Sequence, residues 1–290
     1  MANNIELFKT YIPLIDEVYK NEATTTAFDS NQSMVKMAAN GKDFMVPKYS
    51  IDGLGKYDRN GKGYPQGSVT FGFEMKSPNF DRANKFGIED QDNTETVGLA
   101  FGALAGVFMR TNVIPEVDAF RYAKYSDFAG IKDTSELKTG EDWLAAIRAQ
   151  MVAMDDAEVP HENRHLRITA EGLDLIQHLD VTKRTVVMDK FASVVTVPSA
   201  RFYSAITQYD GFTDGKFGYA KAEGALALNF VIVQPMSLIQ ADKSVITKVF
   251  TPLENQGDDK WLFFYHNYGI CEKLDNKVKG IGVNLAKATA

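Results

Sequence analysis

Residues 161 to 165 carry the pattern H-E-x-x-H. In zinc peptidases, two histidines four residues apart on one helix face bind the metal, and the glutamate between them acts as the base. Here Pro160 precedes the motif, and from Leu166 the sequence changes to the two-residue period of a strand. We therefore predict a polar loop that leads into a strand. A zinc peptidase that uses His161, Glu162 and His165 is kept as an alternative of another class.

Acidic residues cluster between positions 89 and 95. A calcium-binding EF-hand loop requires glycine at its sixth position and glutamate at its twelfth. Counted from Asp90, those positions hold Glu95 and Phe101. We interpret the cluster as the solvated start of a helix, with Asp92 and Glu95 as a capping pair.

Two further patterns lack the residues that their chemistry requires. The sequence Gly-Lys-Gly at 61–63 is similar to part of a phosphate-binding loop, but Lys56 stands where the first glycine is needed. Cys271 and His266 are five residues apart on a predicted strand, so their side chains are expected on opposite faces. No set of residues supplies a nucleophile, a base and oxyanion donors together. The sequence therefore predicts no catalytic, cofactor or metal site, and no enzyme.

Composition narrows the class of protein. The chain has 290 residues, 44% of them hydrophobic and 24% charged, which is typical of a globular protein with a sizeable core. The net charge of −6 provides no basic surface for specific nucleic-acid binding. The single cysteine, Cys271, excludes an internal disulfide framework and suits a reducing compartment. We expect no signal peptide and no membrane span, because the longest apolar run, 97–109, is shorter than the roughly 20 residues required.

The clearest structural pattern is a hairpin with a long, glycine-rich tip. From Ser68 to Lys76, apolar residues occupy every second position, namely Val69, Phe71, Phe73 and Met75. The segment 43–51 provides a partner strand, and Pro47 predicts that this strand lies at a sheet edge. Five glycines between the strands give the tip conformational freedom. Because an isolated two-stranded ribbon is marginally stable, we predict that it lies on a neighbouring copy of the chain.

Helices and strands are mixed along the rest of the chain. The first forty residues read as a separate helical arm followed by a polar break. A helix is predicted up to Asn112 and again from Pro115 to Phe128, and its stripe of Gly98, Gly102 and Gly106 indicates that something packs closely against it. A second helix begins near Glu141. Its core-facing residues are Trp143, Leu144, Ile147, Met151 and Met154.

The remaining elements complete an α+β pattern without regular βαβ alternation. Strands are predicted at 164–169, 193–197, 226–233, 244–251, 260–272 and 278–283. Shorter helices are predicted at 170–179, at 201–209 and after Pro235.

The order of these parts resembles that of the major capsid proteins of tailed bacteriophages with the Hong Kong 97-type fold. Local sequence is similar to a subfamily found in phages and prophages of Gram-positive bacteria, and it is the shared order of short motifs that is specific. The motifs lie at 52–55, 57–59, 63–64, 81–82, 86, 92, 95–96, 115–121, 197–203, 265–270, 276–277 and 280–281.

This resemblance implies a division of the chain. Residues 1–40 would be an N-terminal arm, 41–91 an extended hairpin loop, 92–138 and 235–290 a peripheral domain with a long spine helix, and 139–234 an axial domain. The candidate contacts between subunits are Gly53, Gly55, Tyr57, Arg59, Tyr64, Val69, Phe71, Phe73 and Arg82. Covalent cross-linking, known in one branch of the family, would need Lys56 or Lys62, and we do not expect it.

The resemblance also implies a function. The chain would form hexamers and pentamers of itself in an icosahedral shell around double-stranded DNA, with portal and scaffold proteins as further partners and without a membrane or cofactor. It would be made in the cytoplasm of the bacterial host and reside in the virion capsid. An acidic shell fits this function, because it does not adhere to the packaged DNA. The alternative within this fold is an encapsulin-like compartment that carries cargo enzymes.

Overall fold

A computed structural model describes residues 23–30, 36–37, 44–57, 59, 63–90, 106–213, 215–255 and 257–287. The described α-helices are α1 (Ile114–Phe128), α2 (Gly140–Asp156), α3 (Ala170–Gln177) and α4 (Val181–Met188). The first strands are β1 (Lys36–Met37), β2 (Phe44–Ile51), β3 (Val69–Lys76), β4 (Phe80–Glu89), β5 (Ile131–Ser135), β6 (His165–Thr169) and β7 (Ser193–Val197). The later strands are β8 (Ile206–Gln208), β9 (Tyr219–Lys221), β10 (Leu228–Val233), β11 (Leu238–Phe250), β12 (Lys260–Lys273) and β13 (Ile281–Ala286).

A five-stranded mixed sheet, in the order β5-β13-β10-β6-β7, has a hydrophobic core on each face. Its central strand β10 alternates between the two cores: Val231 and Val233 pack with α1, whereas Phe230 and Ile232 pack with α2, α3 and α4. Burial on both faces explains why this strand is a continuous apolar run in the sequence. The sheet takes β5 and β13 from the segments predicted to be peripheral and the other strands from the predicted axial segment.

A second, antiparallel sheet has the order β11-β12-β4. Its inner face packs against the helix that leads into α1, where the ring of Phe108 lies 4.8 Å from that of Phe86 and 5.7 Å from that of Tyr265. The predicted extended loop, 41–91, thus contains two different elements. The β2–β3 ribbon projects from the body, and β4 returns to form part of this sheet.

Residues 24–29 form a strap that joins the two sheets through α1. Asp118 of α1 accepts hydrogen bonds from the backbone of Thr24 at 3.0 Å and from the hydroxyl of Thr25 at 2.7 Å. Arg167 of β6 donates to the carbonyl of Thr24 at 2.8 Å, and Gln240 of β11 donates to that of Thr25 at 2.9 Å. The polar break predicted near residue 24 is therefore a buried attachment at these two threonines.

Several sequence predictions are confirmed. Helix α2 begins with a capping box between Thr139 and Asp142, and its five predicted core residues are all buried. The predicted strands at 193–197 and 260–272, and the short helix after Pro235, occur within a residue or two of their expected bounds. Strand β11 is longer than predicted, and the last strand begins at Ile281 rather than at 278.

The helix predicted at 201–209 is wrong. A 3-10 turn, Ser199–Arg201, is followed by β8. Backbone pairing with the approach to β10 determines this conformation, since Ser204 donates to Leu226 at 2.9 Å and Leu228 donates to Phe202 at 3.0 Å. Tertiary pairing has overridden local helix propensity at this site.

The predicted break at Pro115 is also wrong. The helix continues through this proline because a π-helical turn, Met109–Val113, precedes it. Proline has no N–H to donate to the preceding turn, and a π-helical turn is a recurrent place where a helix accommodates such an interruption. At Gly106, the three atoms nearest to an added methyl group belong to Arg110 of the same helix, the nearest at 3.4 Å, so close packing by another element is not found there among the described residues. Gly98, Gly102 and the capping pair of Asp92 and Glu95 lie outside the described residues.

Candidate intersubunit surface

The β2–β3 ribbon has one face made entirely of apolar side chains. Antiparallel pairing places Met45 opposite Met75, Pro47 opposite Phe73, Tyr49 opposite Phe71, and Ile51 opposite Val69. Because directly opposed residues share a face, these four pairs form a continuous strip. The strip runs for eight residues, or roughly 26 Å. Both predicted strands of the hairpin are thereby confirmed.

No described part of the chain covers this strip. Six of the eight side chains in the strip retain 49–67% of their accessible surface. They are Tyr49, Ile51, Val69, Phe71, Phe73 and Met75. Phe71 packs against Tyr49 at 4.6 Å and against Phe73 at 5.0 Å between ring centroids. These ring contacts hold the aromatic side chains in one arrangement while their outer surfaces stay in solvent.

The opposite face of the ribbon attaches it to its own chain. Lys76 lies 2.7 Å from Glu74 and 3.9 Å from Asp275, and Lys48 lies 3.7 Å from Asp275. Burial alone would raise the pKa of Asp275, but the charges of Lys76 and Lys48 and a hydrogen bond with Glu74 lower the pKa below its usual value. These ion pairs lie on the face of the ribbon opposite the apolar strip.

A small hydrophobic cluster fixes the base of the ribbon. Phe44 is buried against Ile239 of β11 and Ile270 of β12. The sequence analysis identified neither this cluster nor Asp275. Phe44 is the second residue of the predicted strand and lies on the face opposite Met45, so the alternation could have indicated its burial. Nothing in the sequence indicates the pairing with Asp275.

The strand that contains Pro47 was predicted to lie at a sheet edge, and the structure shows this for part of the strand. Strand β1 pairs with β2 only at Phe44 and Met45, so β2 is the middle strand of a small sheet at its base. Further along, β3 is its only described partner, and Pro47 stands opposite Phe73 in that part. The proline thus lies where an edge is available, although the strand as a whole is not an edge strand.

The tip of the hairpin is closed by Asp52 and Ser68. The backbone of Asp52 donates to the carbonyl of Ser68 at 3.1 Å, and its carboxylate accepts from the backbone of Ser68 at 2.8 Å. Beyond this closure, Tyr57 and Tyr64 pack with ring centroids 4.9 Å apart and stay exposed. The other predicted contact residues of the tip, Gly53, Gly55 and Arg59, are also exposed.

Arg82, the remaining candidate contact residue, lies away from the ribbon and is bound within the chain. Its guanidinium donates to Glu116 at 2.6 Å, to the carbonyl of Tyr209 at 2.6 Å and to that of Gly218 at 3.3 Å. These contacts join β4 to α1 and to the β8–β9 loop. We therefore assign Arg82 a structural role inside the subunit.

The residues of the possible zinc motif do not converge. His161 lies in an exposed loop with its Nδ1 atom 3.3 Å from Asp155, whereas His165 lies on β6 with its Nδ1 atom 2.7 Å from the hydroxyl of Ser193. The predicted loop leading into a strand is confirmed. Within the described ranges, no group of three or more histidine, cysteine, aspartate or glutamate side chains is placed to hold a metal ion.

Cys271 and His266 lie on opposite faces of β12, as predicted. Cys271 is buried, and burial raises the pKa of its thiol to about 12, although Arg121 opposes this effect. His266 is on the outer face, with its Nε2 atom 2.6 Å from Asp81. Among the helices that the structure describes, none has the length and hydropathy to span a bilayer.

Comparison with solved structures gives matches over almost the whole chain. The capsid structure of cyanophage P-SCSP1u matches with a TM-score of 0.67 and 11% identity, covering 100% of this chain and 97% of that chain. The mature capsid of bacteriophage PhiM1 matches with a TM-score of 0.66 and 10% identity, covering 99% and 93%. A structure of Mycobacterium phage Che8 matches with a TM-score of 0.63 and 12% identity, covering 98% of both chains.

No protein-family model and no curated protein sequence matches the chain. At such low identity, the structural matches establish the fold. The chain has the α+β fold of phage capsid proteins of the Hong Kong 97 type. The three matches each cover 98–100% of this chain.

Proposed function

We propose that the chain is the major capsid protein of a tailed phage, and that it assembles with copies of itself into the icosahedral shell that encloses a double-stranded DNA genome. Its role is structural rather than enzymatic. The exposed apolar strip of the β2–β3 ribbon is the observation that carries the proposal, because a subunit of this fold needs a surface that only a neighbour can cover.

The size of the strip supports this function. Six aromatic or aliphatic side chains, each about half exposed or more, offer on the order of several hundred Å², since an aromatic side chain alone can bury about 150–250 Å². The largest apolar patch on a typical monomer is about 300–600 Å² and often marks an interaction site. A standard protein interface takes about 800 Å² from each partner. The strip and the exposed tip together are therefore adequate for a stable contact.

Under this proposal, three parts of the chain have distinct roles. Residues 41–76 would reach the neighbouring subunit, the β11-β12-β4 sheet would form the peripheral domain, and the five-stranded sheet with α2, α3 and α4 would form the axial domain. The alternative, an encapsulin-like compartment, shares the fold. The phage origin of the three matched structures favours the capsid.

Electron microscopy of the purified chain tests the proposal. We expect negative-stain images to show shells, tubes or ring-shaped capsomers. The double variant Phe71→Asp/Phe73→Asp should give folded particles of subunit size, because it places charges at the centre of the strip. The control, Thr70→Asp/Gly72→Asp, adds the same charges on the other face of β3. Assembly of the Phe71/Phe73 variant into normal shells would disprove the role of the strip.

A capsid and a compartment differ in their contents. Shells formed in bacteria that carry the complete phage genome should contain double-stranded DNA protected from nuclease. Shells that instead retain a host enzyme and no DNA would favour the compartment.

A further inference from the structure

Five lysines gather at the C-terminal end of α1, where the chain turns into β5. Two of them lie over one aromatic ring, since the Nζ atoms of Lys124 and Lys273 are each 5.8 Å from the centroid of Phe128. Their ammonium groups therefore lie within twice that distance of each other. We call the five residues the lysine patch, and they are Lys124, Lys132, Lys273, Lys277 and Lys279.

The other three lysines of the patch lie around the backbone that follows the helix. Lys132 donates to the carbonyl of Asp127 at 3.0 Å, and Lys279 donates to that of Gly130 at 3.3 Å. Lys277 is on the same 3-10 turn as Lys279, and all three lysine residues are exposed. Carbonyl groups at the end of a helix carry partial negative charge, which stabilises cations there. The helix end thus holds these lysines in place without neutralising them.

The patch keeps an excess of positive charge. None of its five lysines forms an ion pair with another described residue. The nearby carboxylates are Asp127, Asp133, Glu272 and Asp275. Glu272 and Asp275 also act on Lys76 of the ribbon, whose pKa they help to raise although its burial lowers it. The excess is local, because the chain as a whole has a net charge of −6.

Exposed lysines of this kind suit a polyanion with closely and evenly spaced charges. Double-stranded DNA carries one negative charge per roughly 1.7 Å of its axis, so ammonium groups this close together can each meet a phosphate. Lysine acts as a point charge and lacks the planar fork with which arginine recognises a phosphate or base. Contacts with phosphates position a duplex and carry no sequence information.

The patch and the apolar strip lie on different sides of the ribbon. Asp275, the first residue of the 3-10 turn that carries Lys277 and Lys279, contacts Lys48 and Lys76. Those two ribbon lysines are on the face opposite the strip. A neighbouring subunit bound to the strip therefore does not have to cover the patch.

We propose that the lysine patch is the surface through which each subunit contacts the phosphates of the packaged double-stranded DNA. This inference rests on the proposed function and gives it a place of contact with the genome. The contact is weak and independent of sequence, because the rest of the acidic chain repels DNA. Such a contact can position the outer layer of DNA and still release it.

Fluorescence anisotropy with a short labelled DNA duplex of mixed sequence tests the assignment on dilute, unassembled chain. The variant Lys132→Gln/Lys277→Gln/Lys279→Gln removes three exposed charges from the patch. Each phosphate contact contributes about 0.9 to the slope of log affinity against log salt concentration. We therefore expect this slope to become shallower by about 2.7 in the variant, with weaker binding at low salt.

The control is Lys138→Gln/Lys183→Gln/Lys190→Gln, which removes the same net charge at exposed residues outside the patch. Its salt dependence should equal that of the unchanged chain. Arginine in place of glutamine at the three patch positions keeps the charge and should keep the binding.

Circular dichroism checks that each variant is folded. If the glutamine variant does not fold, lysine acetylation read by mass spectrometry gives the same test on the unchanged chain. The duplex should then protect the five patch lysines and leave the three control lysines reactive.

The outcomes separate the inference from the proposed function. Equal salt dependence of the patch and control variants would overturn the inference, as would an unchanged chain that does not bind the duplex at low salt. Polyglutamate that binds the patch in place of the duplex would overturn it in favour of an acidic protein partner. The patch variant should still form shells in electron microscopy, and it is the absence of shells from the unchanged chain that would contradict the capsid function.

Discussion

Asp118 shows how much of this structure depends on single buried polar residues. Its carboxylate is fully buried on α1 and accepts from Thr24, from Thr25 and from Arg201 at 3.2 Å. It therefore binds the strap and neutralises a buried guanidinium at the same time. A buried charge is tolerated only when it is paired and hydrogen-bonded in this way.

We predict that Asp118→Ala lowers the free energy of unfolding by about 3–5 kcal/mol, because it leaves the buried Arg201 charge without this partner. Chemical denaturation monitored by circular dichroism measures the change. Asp127→Ala removes an exposed carboxylate from the same helix and should change stability by less than about 0.5 kcal/mol. Equal effects of the two variants would show that the strap is not held by Asp118.

The Cys271 thiol should be inert in the folded protein. Its pKa is raised from about 9 to about 12, so at pH 8 the folded chain contains about a thousandfold less thiolate than the unfolded chain. We expect no reaction with Ellman's reagent at pH 8 in native buffer, and one thiol per chain in guanidinium chloride. Rapid labelling of the native chain would indicate that β12 opens locally.

The raised pKa of the Cys271 thiol also predicts that its contribution to stability is complete below pH 9 and declines toward pH 12.

At the level of elements, the contact between α2 and α3 requires a residue without a side chain. A methyl group added at Gly172 would lie 2.4 Å from the ring of Trp143, which is buried in the core. Gly172→Ala should therefore destabilise the protein by about 1–3 kcal/mol, the usual cost of overpacking. The direction of this change in stability is informative, because replacing glycine with alanine at an exposed helix position would instead stabilise the protein by about 1 kcal/mol.

Gly72→Ala is the control, since an added methyl group there meets nothing within 4 Å. Thermal unfolding of both variants distinguishes the two sites. A Gly172→Ala variant as stable as the unchanged chain would mean that Trp143 can move aside.

Elements whose apolar residues follow a clean period could be predicted from the sequence. Strand β3 alternates without interruption, and α2 has both a capping box and a regular apolar stripe. Strand β4 was not predicted, because two of its five inward positions are the polar Arg82 and Asn84, which hide the two-residue period. Helix α4 was missed because its residues are mostly β-branched, although Asp180 caps it by accepting from Thr182 at 2.8 Å.

The candidate surface was predicted from local pattern, and its attachment was not. The strip on β3 follows from alternation within eight residues. The contacts that orient the ribbon, from Lys48 and Lys76 to Asp275, join residues about 200 positions apart. Pairings over such distances depend on the whole fold, and a single sequence contains no period or spacing that reveals them.

For the whole molecule, the strap and the ribbon place residues near the start of the chain in two different roles. Thr24, Thr25 and Phe28 of the strap are buried between the two sheets and α1, so we expect the strap to stabilise the folded subunit. Within the described residues, the ribbon is attached at its base, through Phe44 and the ion pairs of Asp275. We therefore expect the subunit to fold without the outer part of the hairpin and the assembly to require it.

Deletion of the hairpin tip tests this distinction. We predict that removing residues 53–63 and closing the hairpin with Asn-Gly leaves a folded subunit, because Asn-Gly favours a turn and the described residues that are deleted are exposed, apart from the half-buried Gly63. Circular dichroism should be near that of the unchanged chain, while electron microscopy should show no shells. The deletion removes the exposed side chains of Leu54 and Tyr57, and burial of a large apolar side chain between subunits contributes roughly 1.5–3 kcal/mol, so the loss of the tip should prevent assembly. Normal shells from the deleted chain would show that the tip is not an intersubunit contact, and an unfolded chain would show that the hairpin belongs to the core of its own subunit.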